Sequence, residues 1–199
     1  PHVLGHEASG TIIKKYRNVR KVKPGDNVFI SWIKSKGKDA SNIFYKYPKK
    51  NKRINSGKVA TFMNYTIVPE NCVNKYSKRI TMRESVLLGC ALPTGAGMVL
   101  NQGNLKKKNK ILILGLGGVG ISSLMATRLY KNVEVYAYDI NSKILKKIKP
   151  FFKNCTFLNR KEFKLMQNNC KKNHKSGFDK IFETTGTIFG IESSINLLK

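Results

Sequence analysis

The stretch Lys110-Ile111-Leu112-Ile113-Leu114-Gly115-Leu116-Gly117-Gly118-Val119-Gly120-Ile121 constrains the fold of this chain more than any other. A short, β-rich apolar run ends in Gly-x-Gly-x-x-Gly, and small and apolar residues at helical spacing follow as far as Tyr130. This predicts a strand, a tight turn and a helix. Gly115 makes the turn, Gly117 lets backbone approach a pyrophosphate, and Gly120 lets helix pack on strand. Phosphates would sit on the free N–H groups and positive dipole end of the helix. A second strand, Val133 to Tyr138, ends in Asp139, about 24 residues after Gly115 and near the ~20 at which an acidic residue grips an adenosine ribose. A carboxylate there suits the two free hydroxyls of NAD and repels the 2′-phosphate of NADP. The competing reading is a structural glycine turn followed by a strand-end aspartate that caps a helix.

From Ile111 onward strands and helices alternate. Strands are predicted at 111–114, 133–138, 156–158 and 180–183, and helices at 118–130, 142–149, 161–171 and the closing segment. Strands separated by helices mean parallel βαβ units. In the order 3-2-1-4-5-6 these are strands 1 to 4, with the switch point beside strand 1 included. The preceding residues read as β-rich, with strands at 10–13, 27–33 and 61–68 and a turn at Pro24-Gly25-Asp26. Lys34 to Lys58 is polar and lysine-rich and reads as a loop. A helix from Met82 to Leu88 meets the Pro/Gly-rich Gly89-Cys90-Ala91-Leu92-Pro93-Thr94-Gly95-Ala96-Gly97, which predicts a domain boundary, giving 1–92 and 93–199.

Charge brings in a different class of function. The 199 residues carry 38 Lys+Arg against 11 Asp+Glu, a net charge of +27, and such a surface attracts nucleic acid without any special fold. The lysines are scattered over loops and helix faces, however, and are not gathered on one helix or interleaved with exposed aromatics as a stacking platform requires. The abundance of Lys, Asn and Ile also follows from an AT-rich genome, so nucleic acid is not the expected partner. No apolar run approaches the ~18–20 residues of a membrane span. Cys72, Cys90, Cys155 and Cys170 are widely spaced without a C-x-x-C, which fits a reducing cytoplasm. The chain opens on Pro1 rather than Met and stops at Lys199 within a helical pattern, so an internal piece of a longer protein is expected.

Gly5-His6-Glu7 and Gly89-Cys90 place a histidine and a cysteine on opposite sides of the β-rich segment. Catalytic zinc takes three protein ligands, Cys₂His among the known sets, but spacing alone leaves a core histidine and a small buried thiol as the plainer reading. Pro1-His2-Val3-Leu4-Gly5-His6-Glu7-Ala8-Ser9-Gly10 resembles the zinc signature of the medium-chain, zinc-dependent alcohol dehydrogenase family. The resemblance continues through Lys23-Pro24-Gly25-Asp26, Thr61 to Asn71, Leu88 to Gly97, Gly115 to Gly120 and Asp139-Ile140-Asn141, in the family's order. It implies a β-rich GroES-like catalytic part followed by a Rossmann domain, a doubly wound parallel sheet, truncated in this chain. It also implies His6 and Cys90 as ligands of one catalytic zinc, with Glu7 beside them as second shell or alternative ligand. Thr94 and Val119 would flank the nicotinamide. Gly115, Gly117, Gly118, Val119 and Gly120 would hold the pyrophosphate of NAD, and Asp139 with Asn141 the adenosine ribose. Thr184, at the end of the fourth strand, is a further candidate on the nicotinamide side. The implied chemistry is reversible oxidation of a small-molecule alcohol to its aldehyde or ketone. Zinc acidifies the bound hydroxyl, and hydride passes to the nicotinamide held by the second domain.

The chain departs from the family pattern in three ways. The first zinc cysteine and the residue that starts the proton relay lie upstream of Gly5-His6-Glu7 in family members. The four clustered cysteines of a structural zinc have no counterpart in Lys34 to Lys58, so no structural zinc is expected. The later strands that often carry a homo-oligomer contact are absent. Two rivals follow: a zinc-free medium-chain reductase of enones or quinones, and a catalytically dead dinucleotide- or nucleic-acid-binding module. Cys170 and His174 read as surface residues, Asp26 as turn chemistry, and Trp32 as core or pocket wall.

Overall fold

The computed structural model describes residues 1–47, 52–173 and 176–199. Two compact units divide the chain, Pro1–Cys90 and Ala91–Lys199.

In the first unit, β1 (Ala8–Thr11), β2 (Asn27–Ile30) and β5 (Val73–Lys75) form an antiparallel sheet in the order β1-β2-β5. Val22, Val28 and Val73 are its buried core, a small one. β3 (Ile43–Tyr47) and β4 (Lys52–Gly57) form a separate hairpin. This hairpin falls within the segment read as a loop; its joining residues 48–51 lie outside the described residues. The lysines hide a genuine β pattern, since Ile43, Tyr45 and Ile54 are half-buried while Phe44 is covered by the Arg53 guanidinium at 4.2 Å. The opposite error occurs at 61–68. Alternation there predicts a strand, yet no strand forms. Phe62 and Tyr65 point into solvent, the Thr61 and Phe62 N–H groups donate to the Leu4 carbonyl, and Tyr45 Oη accepts the Ile67 N–H at 2.9 Å. The predicted strand 27–33 stops at Ile30, where its partner strand gives way to the turn Glu70–Cys72 and the Ser31 N–H makes the bordering bond to the Cys72 carbonyl.

Glu70 ties this unit together. Buried in the short turn Glu70–Cys72, its Oε1 accepts the N–H groups of Arg20 and Lys21, both at 2.7 Å, and its Oε2 that of Lys38 at 2.9 Å. These three donors hold its carboxyl down at about 2, against an ordinary value of 4.5. Because folding lowers this pKa, the stabilisation is complete above about pH 4.5 and drains away as pH falls toward 2. A shift of that size corresponds to at most about 3 kcal/mol. Glu70→Gln is expected to cost roughly 2–3 kcal/mol at pH 7 and far less near pH 2.5, which urea melts at the two pH values would measure.

The second unit is a four-stranded parallel sheet in the order β8-β7-β6-β9, with β6 (Lys110–Leu114), β7 (Glu134–Tyr138), β8 (Cys155–Leu158) and β9 (Lys180–Glu183). That is the 3-2-1-4 order expected from the alternation. β6 sits between two parallel neighbours and is buried on both faces, which is why it reads as a continuous apolar run. Ile111 and Ile113 pack to one side with Leu124 of α3 (Gly118–Thr127) and Ile148 of α4 (Ser142–Ile148). Leu112 and Leu114 pack to the other with Phe163 and Cys170 of α5 (Arg160–Lys172) and Leu197 of α6 (Ile188–Leu197). Helices thus cover both faces of a doubly wound sheet. Cys170 is fully buried in that second layer, seven residues from Phe163 on the apolar face of α5, which corrects its reading as a surface residue. His174 lies outside the described residues. No helix among the described residues is long and apolar enough to cross a membrane.

Candidate functional site

The glycine turn forms as the spacing predicts. Gly115 follows β6 with φ +91°, a backbone state that other residues adopt only under strain. Gly120 lies so close to the Gly115 carbonyl that a β-carbon would fall inside van der Waals contact, and 2.7 Å from Thr184 Oγ1. Around Gly117, by contrast, a β-carbon would meet nothing within 4 Å. Gly117 is the N-cap of α3, and no side chain caps that helix. The first-turn N–H groups therefore face the exposed Gly117 and Gly118 surface, where a diphosphate would find both donors and the positive end of the helix dipole. By this test the chain fits a dinucleotide.

Two side chains brace the turn. Asp139, at the end of β7, accepts the Leu116 N–H through Oδ2 at 2.7 Å and the Asn141 N–H through Oδ1 at 2.7 Å. It is half-buried, and each oxygen keeps a further lone pair for another donor. Thr184 donates its hydroxyl toward the carbonyls of Leu114 at 3.1 Å and Gly115 at 3.0 Å. The sequence signals Thr184 as a ligand contact; the structure gives its hydroxyl a partner in the turn itself. Asn141 caps α4 through its Oδ1, which accepts the Lys143 N–H at 3.0 Å. Strand-end Asp139 thus joins two secondary elements, and the helix cap is its neighbour.

Thr94 lies on α2 (Ala91–Gly97), which packs on α3. The contact is backbone to backbone: a β-carbon on Gly95 would clash with the Val119 carbonyl, and Ser123 Oγ donates to the Gly95 carbonyl at 2.9 Å. The structure therefore brings the Thr94 helix against the Val119 turn within one unit.

In the first unit, His6 and Glu7 immediately precede β1, with His6 exposed and Glu7 half-buried. Gly89 packs beneath them: a β-carbon there would lie 2.5 Å from the Ile30 carbonyl and 3.4 Å from Glu7 Cγ. Ser31 Oγ donates to the Gly89 carbonyl at 2.5 Å, which fixes the chain as it enters Cys90. Trp32 is exposed rather than core, and its indole N–H donates to Cys90 Sγ at 3.4 Å. That contact had no sequence signal, since nothing marks a lone tryptophan as a thiol donor. Thr61 Oγ1, beside Gly5, is buried without a hydrogen-bond partner among the described residues. No group of three His, Cys, Asp or Glu able to hold a metal occurs among the described residues. His6, Glu7 and Cys90 are thus not gathered into one such group.

A small antiparallel β unit followed by a doubly wound unit with a glycine turn on its central strand defines a two-unit protein with a Rossmann-type second half. Residues 1–78 match the alcohol dehydrogenase GroES-like domain. An S-(hydroxymethyl)glutathione dehydrogenase of Photobacterium damsela subsp. piscicida is 26% identical over 228 residues, covering 98% of this chain and 59% of the relative. The benzyl alcohol dehydrogenase structure from Acinetobacter calcoaceticus superposes with a TM-score of 0.77 at 24% identity, covering 100% of this chain and 59% of that one. The zinc dependent alcohol dehydrogenase 2 structure from Streptococcus pneumonia, in its apo form, gives a TM-score of 0.76 at 20% identity, with 99% and 57% covered. The chain resembles alcohol dehydrogenases over nearly its whole length, with a GroES-like match in its first unit and a doubly wound sheet in its second. It spans little more than half the length of these relatives.

Proposed function

We propose that this chain is part of an oxidoreductase that binds NAD on the Gly115–Gly120 turn and transfers hydride between the nicotinamide and a small alcohol or its carbonyl product. The observation that carries this reading is the uncapped N-terminus of α3 beside a turn held open by Asp139. When bound, NAD supplies the hydride acceptor. The chain's own part is to hold it: α3 offers N–H groups to the diphosphate, and Thr184 and Asp139 keep the turn in shape beforehand. Asp139 would also accept from ribose hydroxyls, and its charge would repel a 2′-phosphate. Asp139→Asn is expected to weaken NADH binding about 10–30-fold while narrowing the preference over NADPH, as paired titrations would read.

Zinc would take one donor each from His6 and Cys90, with Glu7 beside them, and the third would be the cysteine that family members carry upstream of Gly5-His6-Glu7. A zinc-free reductase of enones or quinones is the second reading, and the Gly5-His6-Glu7 and Gly89-Cys90 pair argues against it. Metal content measured beside NAD-linked alcohol oxidation, on the parent protein and a Cys90→Ser variant, separates them. One zinc per chain, lost with activity in the variant, supports the dehydrogenase. A metal-free protein that reduces an enone supports the reductase. Two zincs per chain would overturn the expectation of no structural zinc in Lys34–Lys58.

A further inference from the structure

The second unit carries a cleft at the amino ends of its strands, opposite the carboxyl ends where Gly115 and Asp139 lie. It has a volume of about 680 Å³ and runs between the end of α3, the starts of β7 and β8, and the turn around Pro150–Lys153. That size lies within the roughly 300–1,000 Å³ of small-molecule sites. Its floor is apolar, with Leu124, Val133 and Val135. Its rim is cationic: Arg128, Lys131 and Lys153 line it, and no Asp or Glu does.

The rim is partly built already. The Arg128 guanidinium stacks over the Phe152 ring at 4.4 Å and donates to the Phe151 carbonyl, which fixes the turn that closes one side. Phe152 is thereby buried, whereas Phe151 remains 69% exposed and presents its ring at the cleft. Lys131 and Lys153 form no ion pair among the described residues. An apolar floor, an exposed ring and two unpaired ammonium groups within one concavity are complementary to a flat apolar body carrying a negative head.

We propose that this cleft binds a small aromatic anion, its ring against Phe151 and the Val133–Val135 floor and its carboxylate or phosphate head toward Lys131 and Lys153. The test is a titration of the full chain with 1-naphthyl phosphate, followed by calorimetry and by amide NMR shifts. Saturable one-to-one binding is expected, with perturbations centred on Asn132, Phe151 and Cys155. Lys131→Gln/Lys153→Gln should raise Kd about tenfold or more, and Phe151→Ala about threefold or more. Lys146→Gln/Lys147→Gln, which removes two charges outside the cleft, should change Kd less than about twofold. Inorganic phosphate binding as tightly as the naphthyl ester would overturn the proposal, because the ring would then contribute nothing. Equal weakening by both lysine pairs would reduce the effect to net charge and overturn it. Shifts confined to Gly115–Gly120 would place the ligand in the glycine turn and overturn it too.

Discussion

Gly120→Ala is expected to cost about 3 kcal/mol or more of stability and to abolish measurable dinucleotide binding. The reason is geometric. A single methyl at position 120 would overlap the Gly115 carbonyl and crowd Thr184 Oγ1, both of which belong to the turn. Backbone cannot give way as a flexible side chain can, so the strain would pass into β6 and α3 together, at the upper end of what overpacking usually costs. Thermal unfolding should shift down by about 10 °C. A variant that melted like the parent and bound NADH normally would mean that α3 does not approach the turn as described.

Gly117→Asp should separate binding from folding. Position 117 has an extended backbone, φ −72° and ψ −169°, and open space where a side chain would grow. An aspartate there would cap a helix that has no side-chain cap and would meet the positive end of its dipole. Stability should hold or rise by a few tenths of a kcal/mol. The same carboxylate would take the N–H groups a diphosphate needs and repel its charge, so NADH affinity should fall at least about 100-fold. Chemical melts and NADH titrations on one preparation check both signs. Loss of stability and binding together would contradict the account, since the position would then be structural.

Most of the Rossmann-type unit was legible in the sequence because its signals are local. A strand buried on both faces must be continuously apolar, as 111–114 is. The β-rich unit was less legible because its pairing is long-range. Residues 61–68 alternate but find no partner strand, while the 43–57 hairpin is masked by lysines that line its exposed side. Cys170 misled for a related reason: a polar stretch still turns one residue in seven inward when it forms an amphipathic helix. Within the site, the glycine turn was legible because backbone geometry demands glycine at that spacing. The Trp32–Cys90 contact, the Thr184 brace and the Glu70 anchor were not. Each depends on a side chain meeting a group tens of residues away, another side chain for Trp32 and backbone for Thr184 and Glu70.

The most direct test of the central claim is a calorimetric titration of the full chain with NADH and with NADPH at low and moderate salt. A protein of net charge +27 attracts any polyanion, so salt separates a shaped site from a charged surface. The account predicts one NADH per chain, an affinity that changes little with salt, and at least about tenfold weaker binding of NADPH. Equal binding of both cofactors that collapses as salt rises would contradict it, leaving a glycine turn that builds the fold and holds no nucleotide.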